Sequence, residues 1–475
     1  MFANRKVKIV SIISVILLVG VVIAFIYSNS YKGGTEGTRP VFEETLSFDT
    51  IISSEQMKED LAQLKKDMVD VHPKTINGLP NEVEKAFQQA EVLIEHPMTV
   101  GEFTIVVSEI IIKLEDGHTS VANVFQGDLK LPMEIAYVDN EFYVLDGKDV
   151  MAGDKLISLG GITMQEIYEV AKRRVPAENI YWINDRVKDF ALWESTLTQL
   201  GATIDDVKNI EVELKRYGEV IKTSLNFNDT YTRPVDNQRF YPVRYVSRGY
   251  SYFLDAENDL CYFLLTRCVY DDQYIAFMET MFKDVKDNGI NNIVIDIRGN
   301  PGGDSRVINE FIRYIDIDEY LSFGGKGRTS TASKEQRGTG SRNSKAEPNL
   351  VNNIRAEEEL IFDGKIYALI DNGTFSSANW FAVIIKDNEL GTIIGEPTGN
   401  APNSYGDILR FQLTNSKIRY FISHTQWVRP KGKGLGADED ALYPHYPIKY
   451  TLEDYINNTD LAMKKAIEVI KAEDR

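Results

Sequence analysis

Four short apolar runs in the second half of the chain constrain its fold most strongly. Each run is almost continuously hydrophobic, and segments with helical spacing of apolar residues, such as 272–287 and 377–388, lie between them. Strands buried on both faces of a parallel sheet have this composition, and parallel strands need crossover helices. We therefore expect an α/β domain built on a parallel sheet. The runs are residues 260–267, 291–298, 365–371 and 391–396.

The first half of the chain divides into two parts with different periodicity. Residues 45–129 are predicted to be mostly helical, because apolar residues recur at intervals of three and four in 81–94 and 98–114. Residues 130–228 instead predict a β-rich domain, with hairpins that turn at Asp139-Asn140 and at a Tyr-Gly pair. The chain is thus expected to be an α/β multidomain protein, with its parallel-sheet domain at about 240–470.

A strand, a Gly-Gly turn and a helix follow one another in residues 153–173, GDKLISLGGITMQEIYEVAKR. This order resembles the middle of a PDZ domain, although residues 173–205 form a longer helical insertion than a minimal PDZ domain contains. The Gly-rich loop that binds a peptide carboxylate in PDZ domains is not recognisable. A generic small α/β insertion is the alternative interpretation of residues 130–228.

The N-terminus contains an uncharged apolar run at residues 9–27, preceded by three basic residues in the tail 1–8. Nineteen residues at about 1.5 Å each span a bilayer core, and basic flanks remain cytoplasmic. We predict a transmembrane anchor, a polar linker at 28–44 and an extracellular remainder. A cleaved signal peptide is the alternative, but its apolar region would be shorter and would end in small residues.

The composition limits the partners and cofactors of this chain. Its 475 residues carry 71 acidic and 53 basic side chains, a formal net charge of −18, which disfavours a nucleic-acid partner. Two cysteines are too few for a disulfide scaffold or a Cys₄ zinc site, and the H-E-x-x-H pattern is absent. We expect neither a cofactor nor a metal ion.

A serine is placed where a strand is predicted to give way to a helix. In KIYALIDNGTFSSANW the strand ends near Asp371, a turn follows, and Ser376 precedes the helix. The free N–H groups at a helix N-terminus favour an anionic intermediate, so Ser376 is a candidate nucleophile. The alternative is that Ser376 or Ser377 merely caps the helix.

Two further segments have the composition of catalytic loops. DIRGNPGGDS, residues 296–305, directly follows a predicted buried strand, and its adjacent Gly302 and Gly303 permit outward-facing N–H groups. It lacks the lysine of a phosphate loop, so an oxyanion or substrate site fits better. LEDGHTS, residues 114–120, places His118 in a polar turn, where it is a candidate base.

These segments, together with GEPTG at 395–399, resemble peptidase family S41 in the order L-x-D-G-H-T, D-x-R-x-N-x-G-G, T-F-S-S-A and G-E-x-T. The resemblance covers about residues 45–450 and implies a catalytic domain with a crotonase-like ββα spiral. It implies that Ser376 is the nucleophile. It also implies that the N–H groups of Ser377 and of Gly302 or Gly303 form the oxyanion hole.

The chain is similar to the histidine-base branch of the family, in which the histidine of the D-G-H block, here His118, is the base. The position that holds a lysine base in the C-terminal processing branch is Ala401 here. Lys386 is the nearest alternative, but it lies about 15 Å along the helix and off the face of the serine. The register of the family's tail implies Asp438, with Glu439 close behind, as the acid that orients His118.

The sequence therefore predicts a membrane-anchored serine endopeptidase that acts on peptide or protein substrates outside the cell. Two rival classes remain: a non-catalytic ligand- or peptide-binding protein on the same scaffold, and a serine esterase. Residues 323–349 interrupt the parallel-sheet pattern with a Gly- and Ser-rich, locally basic stretch. We interpret this stretch as a solvated insertion, with a lid as the alternative.

Overall fold

The structure, a computed structural model, describes residues 37–122, 129–231, 248–338, 346–432 and 439–473. The predicted anchor at 9–27 and the predicted acid Asp438 lie outside these ranges. Within them, none of the helices combines the length and the hydropathy that a membrane crossing requires.

The strands of the described ranges are numbered in chain order. They are β1 (Ile51–Ile52), β2 (Met98–Thr99), β3 (Ser120–Val121), β4 (Met133–Val138), β5 (Glu141–Gly147), β6 (Lys155–Leu159), β7 (Ile162–Thr163), β8 (Asn209–Arg216), β9 (Glu219–Asn226), β10 (Tyr250–Asp255), β11 (Leu260–Leu265), β12 (Asn292–Asp296), β13 (Glu319–Ser322), β14 (Gly324–Gly327), β15 (Asn349–Asn352), β16 (Lys365–Ile370), β17 (Thr392–Gly395), β18 (Ser404–Gln412), β19 (Arg419–Val428) and β20 (Tyr446–Pro447).

The α-helices are numbered in the same way, and three short 3₁₀ turns accompany them. The helices are α1 (Ser54–Val71), α2 (Asn81–Leu93), α3 (Val100–Ile111), α4 (Met164–Arg174), α5 (Ile180–Phe190), α6 (Glu194–Gln199), α7 (Asp272–Asp287), α8 (Arg306–Ile312), α9 (Thr331–Arg337), α10 (Ser377–Asp387), α11 (Leu452–Ile456) and α12 (Leu461–Glu473). The 3₁₀ turns are Pro73–Thr75, Ile112–Leu114 and Glu358–Leu360.

The central sheet has six strands in the order β10-β11-β12-β16-β17-β20. The β10–β11 pair is antiparallel and the other pairs are parallel. The four strands from β11 to β17 fall within the four apolar runs, so the predicted parallel sheet is confirmed. Its apolar side chains pack on one face against α7, α8 and α10 and on the other against α12, which buries both faces as the sequence requires.

A second, antiparallel sheet is formed by residues 133–226 in the order β4-β5-β6-β8-β9, with β7 paired to β6. Both predicted hairpins are present. Their turns contain left-handed residues, Asp139 and Asn140 (φ 50° and 65°) and Tyr217 and Gly218 (φ 48° and 90°), as two-residue hairpin turns require. Helices α4, α5 and α6 pack on this sheet and enclose a separate core. We refer to residues 129–227 as the β-rich unit.

The N-terminal helices α1, α2 and α3 share a core with a third sheet, in which β19 lies between β14 and β18 and also pairs with β3. The helical prediction for this part of the chain is confirmed. The pairing aligns Val121 with Tyr420 and Ser120 with Phe421, so β3 is attached to the C-terminal half of the chain. That attachment fixes the turn that precedes β3.

The interpretation of residues 323–349 as a solvated insertion is wrong for residues 324–337, which contain a strand and a helix, while residues 339–345 lie outside the described ranges. Strand β14 pairs antiparallel with β19, and α9 follows it with a capping box at Ser330. Arg328 also donates hydrogen bonds from Nη1 to the carbonyl of His72 (2.6 Å) and to Oγ1 of Thr75 (2.8 Å). The error arises because glycine has a low strand propensity, so the sequence of β14 does not indicate a strand. The glycines are needed for close packing: Cβ atoms at Gly324 and Gly325 would lie 1.7 Å and 2.2 Å from neighbouring atoms.

A buried ion pair joins the end of α10 to the end of β19. Arg429 donates to both carboxylate oxygens of Asp387, at 2.9 Å and 2.7 Å, and both side chains are almost fully buried. Removing Asp387 leaves the buried guanidinium of Arg429 with less compensation, because Glu439 still accepts from its Nη1. We expect Asp387→Asn to lower the free energy of unfolding by about 3 kcal/mol, measured by urea denaturation.

The control for this prediction is Asp70→Asn, which breaks the exposed i,i+4 pair with Lys66. It should change the free energy of unfolding by no more than about 0.5 kcal/mol. Equal effects of the two substitutions would contradict a structural role for the buried pair.

Candidate active site

Ser376 lies in a strained turn between β16 and α10. Its backbone has φ 52° and ψ −125°, a region that a residue with a side chain rarely adopts and that costs about 1–3 kcal/mol. Ser376 occupies the N-cap position of α10 but forms no side-chain cap hydrogen bond. Its Oγ lies instead 3.0 Å from Nε2 of His118. The capping alternative is therefore excluded for Ser376.

Three hydrogen bonds hold the strained turn in place. The N–H of Phe375 donates to the carbonyl of Asn300 (2.9 Å), and the N–H of Ser376 donates to Oδ1 of Asn400 (3.0 Å). The hydroxyl of Ser377 donates to the carbonyl of Gly303 (2.8 Å). The glycine loop and the segment around Asn400 thus fix the orientation of the serine, which is how surrounding structure maintains local strain.

His118 reaches Ser376 through the pairing of β3 with β19. The turn that carries the histidine directly precedes β3, and Oγ1 of Thr119 accepts a hydrogen bond from the N–H of Ser423 on β19 (3.0 Å). His118 and Ser376 are 258 residues apart in sequence. The structure therefore brings together the two residues that the sequence predicted as base and nucleophile, at hydrogen-bonding distance.

Asp116 is a buried carboxylate that shapes the same turn. Its Oδ1 accepts from the N–H of His118 (3.0 Å), and its Oδ2 accepts from the hydroxyl of Thr119 (2.5 Å) and from Nε2 of His72 (3.0 Å). Nδ1 of His72 accepts the N–H of Lys74, so the His72 proton resides on Nε2. Burial raises the pKa of Asp116, but the contacts with His72 and His118 outweigh burial and keep the pKa low.

His72 has two roles in the structure. It caps the 3₁₀ turn Pro73–Thr75, and it also donates to Asp116 from a fully buried position. Sequence periodicity gave no signal for this pair, because its members are 44 residues apart and lie on different elements.

Burial sets the protonation of His118. It lowers the pKa of the imidazole below its ordinary value, although the negative charge of Asp116 opposes the shift. The ring packs against Phe375, with centroids 4.7 Å apart, and Trp182 of α5 also stacks on Phe375, with centroids 4.2 Å apart. Nδ1 of His118 is buried and has no hydrogen-bond partner among the described residues.

The two predicted loop glycines differ in what their N–H groups do. The N–H of Gly302 donates to Oδ1 of Asn300 (2.8 Å) and is not free for a ligand. Within the described ranges no acceptor faces the N–H of Gly303 or of Ser377, which is in the first turn of α10. A Cβ at Gly302 would lie 2.6 Å from Cβ of Ser376 and 2.8 Å from N of Ser377.

Glu439 is the one of the two predicted acids that the structure describes, and it pairs with an arginine. Glu439 accepts a hydrogen bond from Nη1 of Arg429 (2.7 Å), and no ion pair joins it to His118. Asp438 lies outside the described residues. His424 is a buried strand residue whose Nδ1 contacts the carbonyl of Asp407, and His445 is exposed.

The helical insertion of the β-rich unit supplies residues that the sequence did not single out. Asn179 caps α5 and donates from Nδ2 to the carbonyls of Thr398 (3.1 Å) and Asp440 (2.7 Å). Glu178 accepts the N–H of Gly117 at Oε1 (3.1 Å). This segment therefore docks on the turn that carries His118. Its Asn-capped helix start was visible in the sequence, but the docking partner was not.

One cluster of potential metal ligands occurs among the described residues. Single ligand atoms of Asp116, His118 and Glu178 all lie within 4.8 Å of one another. Burial and the charge of Asp116 raise the pKa of Glu178 to about 8, which the nearby amide of Asn400 partly opposes. A cation would have to compete with the bonds that Asp116 already forms.

A large polar cavity lies elsewhere, between the β-rich unit, the central sheet and the C-terminal helices. It has a volume of about 740 Å³ and is lined by charged side chains that include Asp185, Lys188, Arg298 and Glu396. Neither Ser376 nor His118 lines it. The reactive geometry is therefore a feature of the loops around Ser376 and not of this cavity.

Comparisons with known proteins concern the family and the fold. The family model of Peptidase family S41 matches residues 269–447, and no curated protein matches the chain. The structure is similar to that of mature CPAF, with a TM-score of 0.63 and 14% sequence identity over 88% of this chain and 97% of that one. It is also similar to mature CPAF complexed with lactacystin, with a TM-score of 0.61 and 14% identity over 88% of this chain and 98% of that one. The photosystem II D1 C-terminal processing protease gives 0.44 at 15% identity, over 86% of this chain and 99% of that one. The mixed α/β fold thus resembles S41 peptidases.

The geometry of the glycine loop predicts that Gly302→Ala removes the reactivity of Ser376. The new Cβ would displace Ser376 and Ser377, and φ 95° at this position is unfavourable for alanine. We expect the rate of labelling by a fluorophosphonate probe to fall by roughly 10²–10³, as when an oxyanion donor is lost. Gly289→Ala is the matched control, since Gly289 also has positive φ but has open space around it. Similar labelling of both variants would contradict the packing argument.

Proposed function

We propose that this chain, whose residues 269–447 belong to peptidase family S41, is a serine endopeptidase in which Ser376 forms the acyl-enzyme and His118 is the general base. The observation that carries the proposal is the 3.0 Å contact between Oγ of Ser376 and Nε2 of His118. A serine at a helix N-terminus, strained and bonded to a histidine rather than to its own helix, is arranged as a nucleophile.

The proposed reaction proceeds in two stages. His118 takes the proton from Ser376 as Oγ attacks the carbonyl carbon of the peptide bond, and the N–H groups of Gly303 and Ser377 donate to the oxyanion. The tetrahedral intermediate collapses as His118 gives its proton to the leaving amine. Water, deprotonated by His118, then hydrolyses the ester and regenerates Ser376.

Histidine fits the base role better than any lysine of this site. Burial lowers the pKa of His118, so the imidazole is neutral near pH 7 and can accept a proton. Ala401 stands where the lysine-base branch has its lysine, and Nζ of Lys386 donates to the carbonyl of Tyr443 (2.7 Å). These contacts favour the histidine branch of the family.

We also propose a role in substrate binding for the β-rich unit, as the PDZ-like interpretation implies. A peptide would add to an edge of its sheet, where β4 and β9 are the outer strands. Val220 on β9 is 58% exposed and offers an apolar contact for such a peptide. An esterase for short acyl substrates would not need this extended surface, whereas a peptide-binding protein would use it, and both alternatives are tested below.

The proposed location is the outer face of the cell membrane, with a single anchor at residues 9–27 and a cytoplasmic N-terminus. The support is the length of the apolar run and the basic residues before it. A tethered enzyme of this kind would act on peptides or proteins outside the cell.

Substitution of either residue of the proposed pair should abolish turnover of peptides. We expect Ser376→Ala and His118→Ala each to lower kcat by roughly 10³ or more, because the two act as a unit. The double variant should be no worse than either single one. His96→Ala, at an exposed histidine, is the matched control and should retain wild-type kcat.

Activity assays with different substrates distinguish the endopeptidase from the esterase and the binding protein. Hydrolysis of a peptide library that depends on Ser376 supports the endopeptidase, whereas turnover of short esters alone would assign an esterase. Wild-type protein that turns over neither and is not labelled by a fluorophosphonate would be a binding protein, and the proposal would fail.

The proposed anchor at residues 9–27 predicts that the protein is found in the membrane fraction of cells. Full-length protein should sediment with membranes and be extracted only by detergent, and a chain that begins at residue 37 should remain in the soluble fraction. N-terminal sequencing of the mature protein distinguishes the alternative: a start beyond residue 27 would show a cleaved signal peptide and overturn the anchor.

A further inference from the structure

The imidazole of His118 lacks the partner that a catalytic histidine requires. A base that accepts a proton at Nε2 must carry its own proton at Nδ1, and an acceptor must hold that nitrogen for the ring to keep its orientation. Nδ1 of His118 is buried and has no hydrogen-bond partner among the described residues. A group near this nitrogen is therefore expected to complete the site.

Asp116 is the nearest carboxylate, but both of its oxygens are engaged. Its Oδ1 lies 3.9 Å from Nδ1 of His118, beyond hydrogen-bonding distance, and already accepts the N–H of the same residue. Its Oδ2 accepts from His72 and Thr119. These bonds show that Asp116 shapes the turn, and they leave it poorly placed to hold the ring.

Glu178 has a free oxygen on the same side of the turn. One oxygen accepts the N–H of Gly117, while Oε2 is buried and has no hydrogen-bond partner among the described residues. A Cβ at Gly117 would lie 3.1 Å from this Oε2, so the carboxyl group packs directly on the backbone beside His118. Ligand atoms of Glu178 and His118 lie within 4.8 Å of each other.

We propose that Glu178 is the positioning residue that accepts the Nδ1 proton of His118. The inference rests on the proposed function. Nδ1 of His118 and Oε2 of Glu178 are of complementary type, both are buried without a hydrogen-bond partner in the described ranges, and ligand atoms of the two residues lie within 4.8 Å of each other. Hydrogen bonds of catalytic groups are commonly long in the absence of substrate and shorten when it binds.

The charge of Glu178 then selects the tautomer of His118. An ionised Glu178 accepts the Nδ1 proton and leaves Nε2 free to take the proton of Ser376. A protonated Glu178 would instead donate to Nδ1 and place the imidazole proton on Nε2, where the ring cannot act as a base. The ionisable groups that face Glu178 are Asp116 and His118 from the turn, while Asn400 presents a neutral amide.

The decisive substitution is Glu178→Gln, which retains an oxygen for the N–H of Gly117 and removes only the charge. At about pH 9, where Glu178 is ionised in wild type, we expect kcat on a peptide substrate to fall about 10²-fold or more with KM unchanged, as for loss of a triad acid. The matched control is Glu169→Gln in the same unit, where an exposed glutamate pairs with Lys172. Its kcat should equal that of wild type.

Two further readouts separate positioning from a structural role. Formate, but not chloride, should restore part of the kcat of Glu178→Ala by supplying a carboxylate. In wild type, kcat/KM should rise as Glu178 loses its proton near pH 8, since its pKa is raised to about 8. In Glu178→Gln this limb should vanish and leave only the His118 limb below pH 6.5.

The results that overturn the inference differ from those that overturn the function. If wild type is active and Glu178→Gln is equally active, the inference alone is refuted. It is also refuted if Asp438→Asn or Glu439→Gln lowers kcat about 10²-fold while Glu178→Gln leaves kcat unchanged. Loss of wild-type activity in EDTA would assign the cluster to a metal ion and also refute it. Wild type without turnover or probe labelling would refute the proposed function itself.

Discussion

The contact between Ser376 and His118 depends on backbone that the chain would not adopt alone. The left-handed conformation of Ser376 costs about 1–3 kcal/mol, and it persists because hydrogen bonds tie its turn to two other loops, the glycine loop and the segment around Asn400. The central sheet places the glycine loop and the serine turn at the ends of adjacent parallel strands, β12 and β16. The pairing of β3 with β19 supplies the histidine. The site therefore exists only when both sheets are assembled.

Buried charge is the second constraint on the site. Asp116 retains a low pKa despite complete burial because His72 donates to it and His118 lies near it. The same negative charge raises the pKa of Glu178 and opposes the lowering of the pKa of His118. The ionised Asp116 thus acts to raise the pKa of both neighbours, but burial lowers the pKa of His118, so the pKa values of Glu178 and His118 move in opposite directions. Groups separated in this way are typical of acid–base sites.

The sequence predicted what local patterns encode. The parallel strands from β11 to β17, the flanking helices and both hairpins of the β-rich unit follow from periodicity and turn residues. Ser376 and His118 were identified from motif order, and their contact agrees with that identification. Strand β14 was missed because its glycines have low strand propensity, and the close packing that requires them depends on tertiary structure.

The residues that surround His118 could not be predicted in the same way. Glu178 and Asn179 are in an insertion that packs on segments up to 261 residues away, and no periodicity records that docking. His72 and Asp116 meet because a helix and a turn pack together. Glu439 was predicted as an acid beside His118 from its position in a tail motif. In the structure its carboxylate pairs with Arg429, and the position in the motif carries no information about that neighbour.

The identity of the nucleophile is the central claim, and peptide mapping by mass spectrometry after reaction with a fluorophosphonate tests it directly. The account predicts a single adduct, on the peptide that contains Ser376 and on that residue within it. An adduct on a different serine, or an unmodified wild-type chain under conditions that label known serine peptidases, would contradict it.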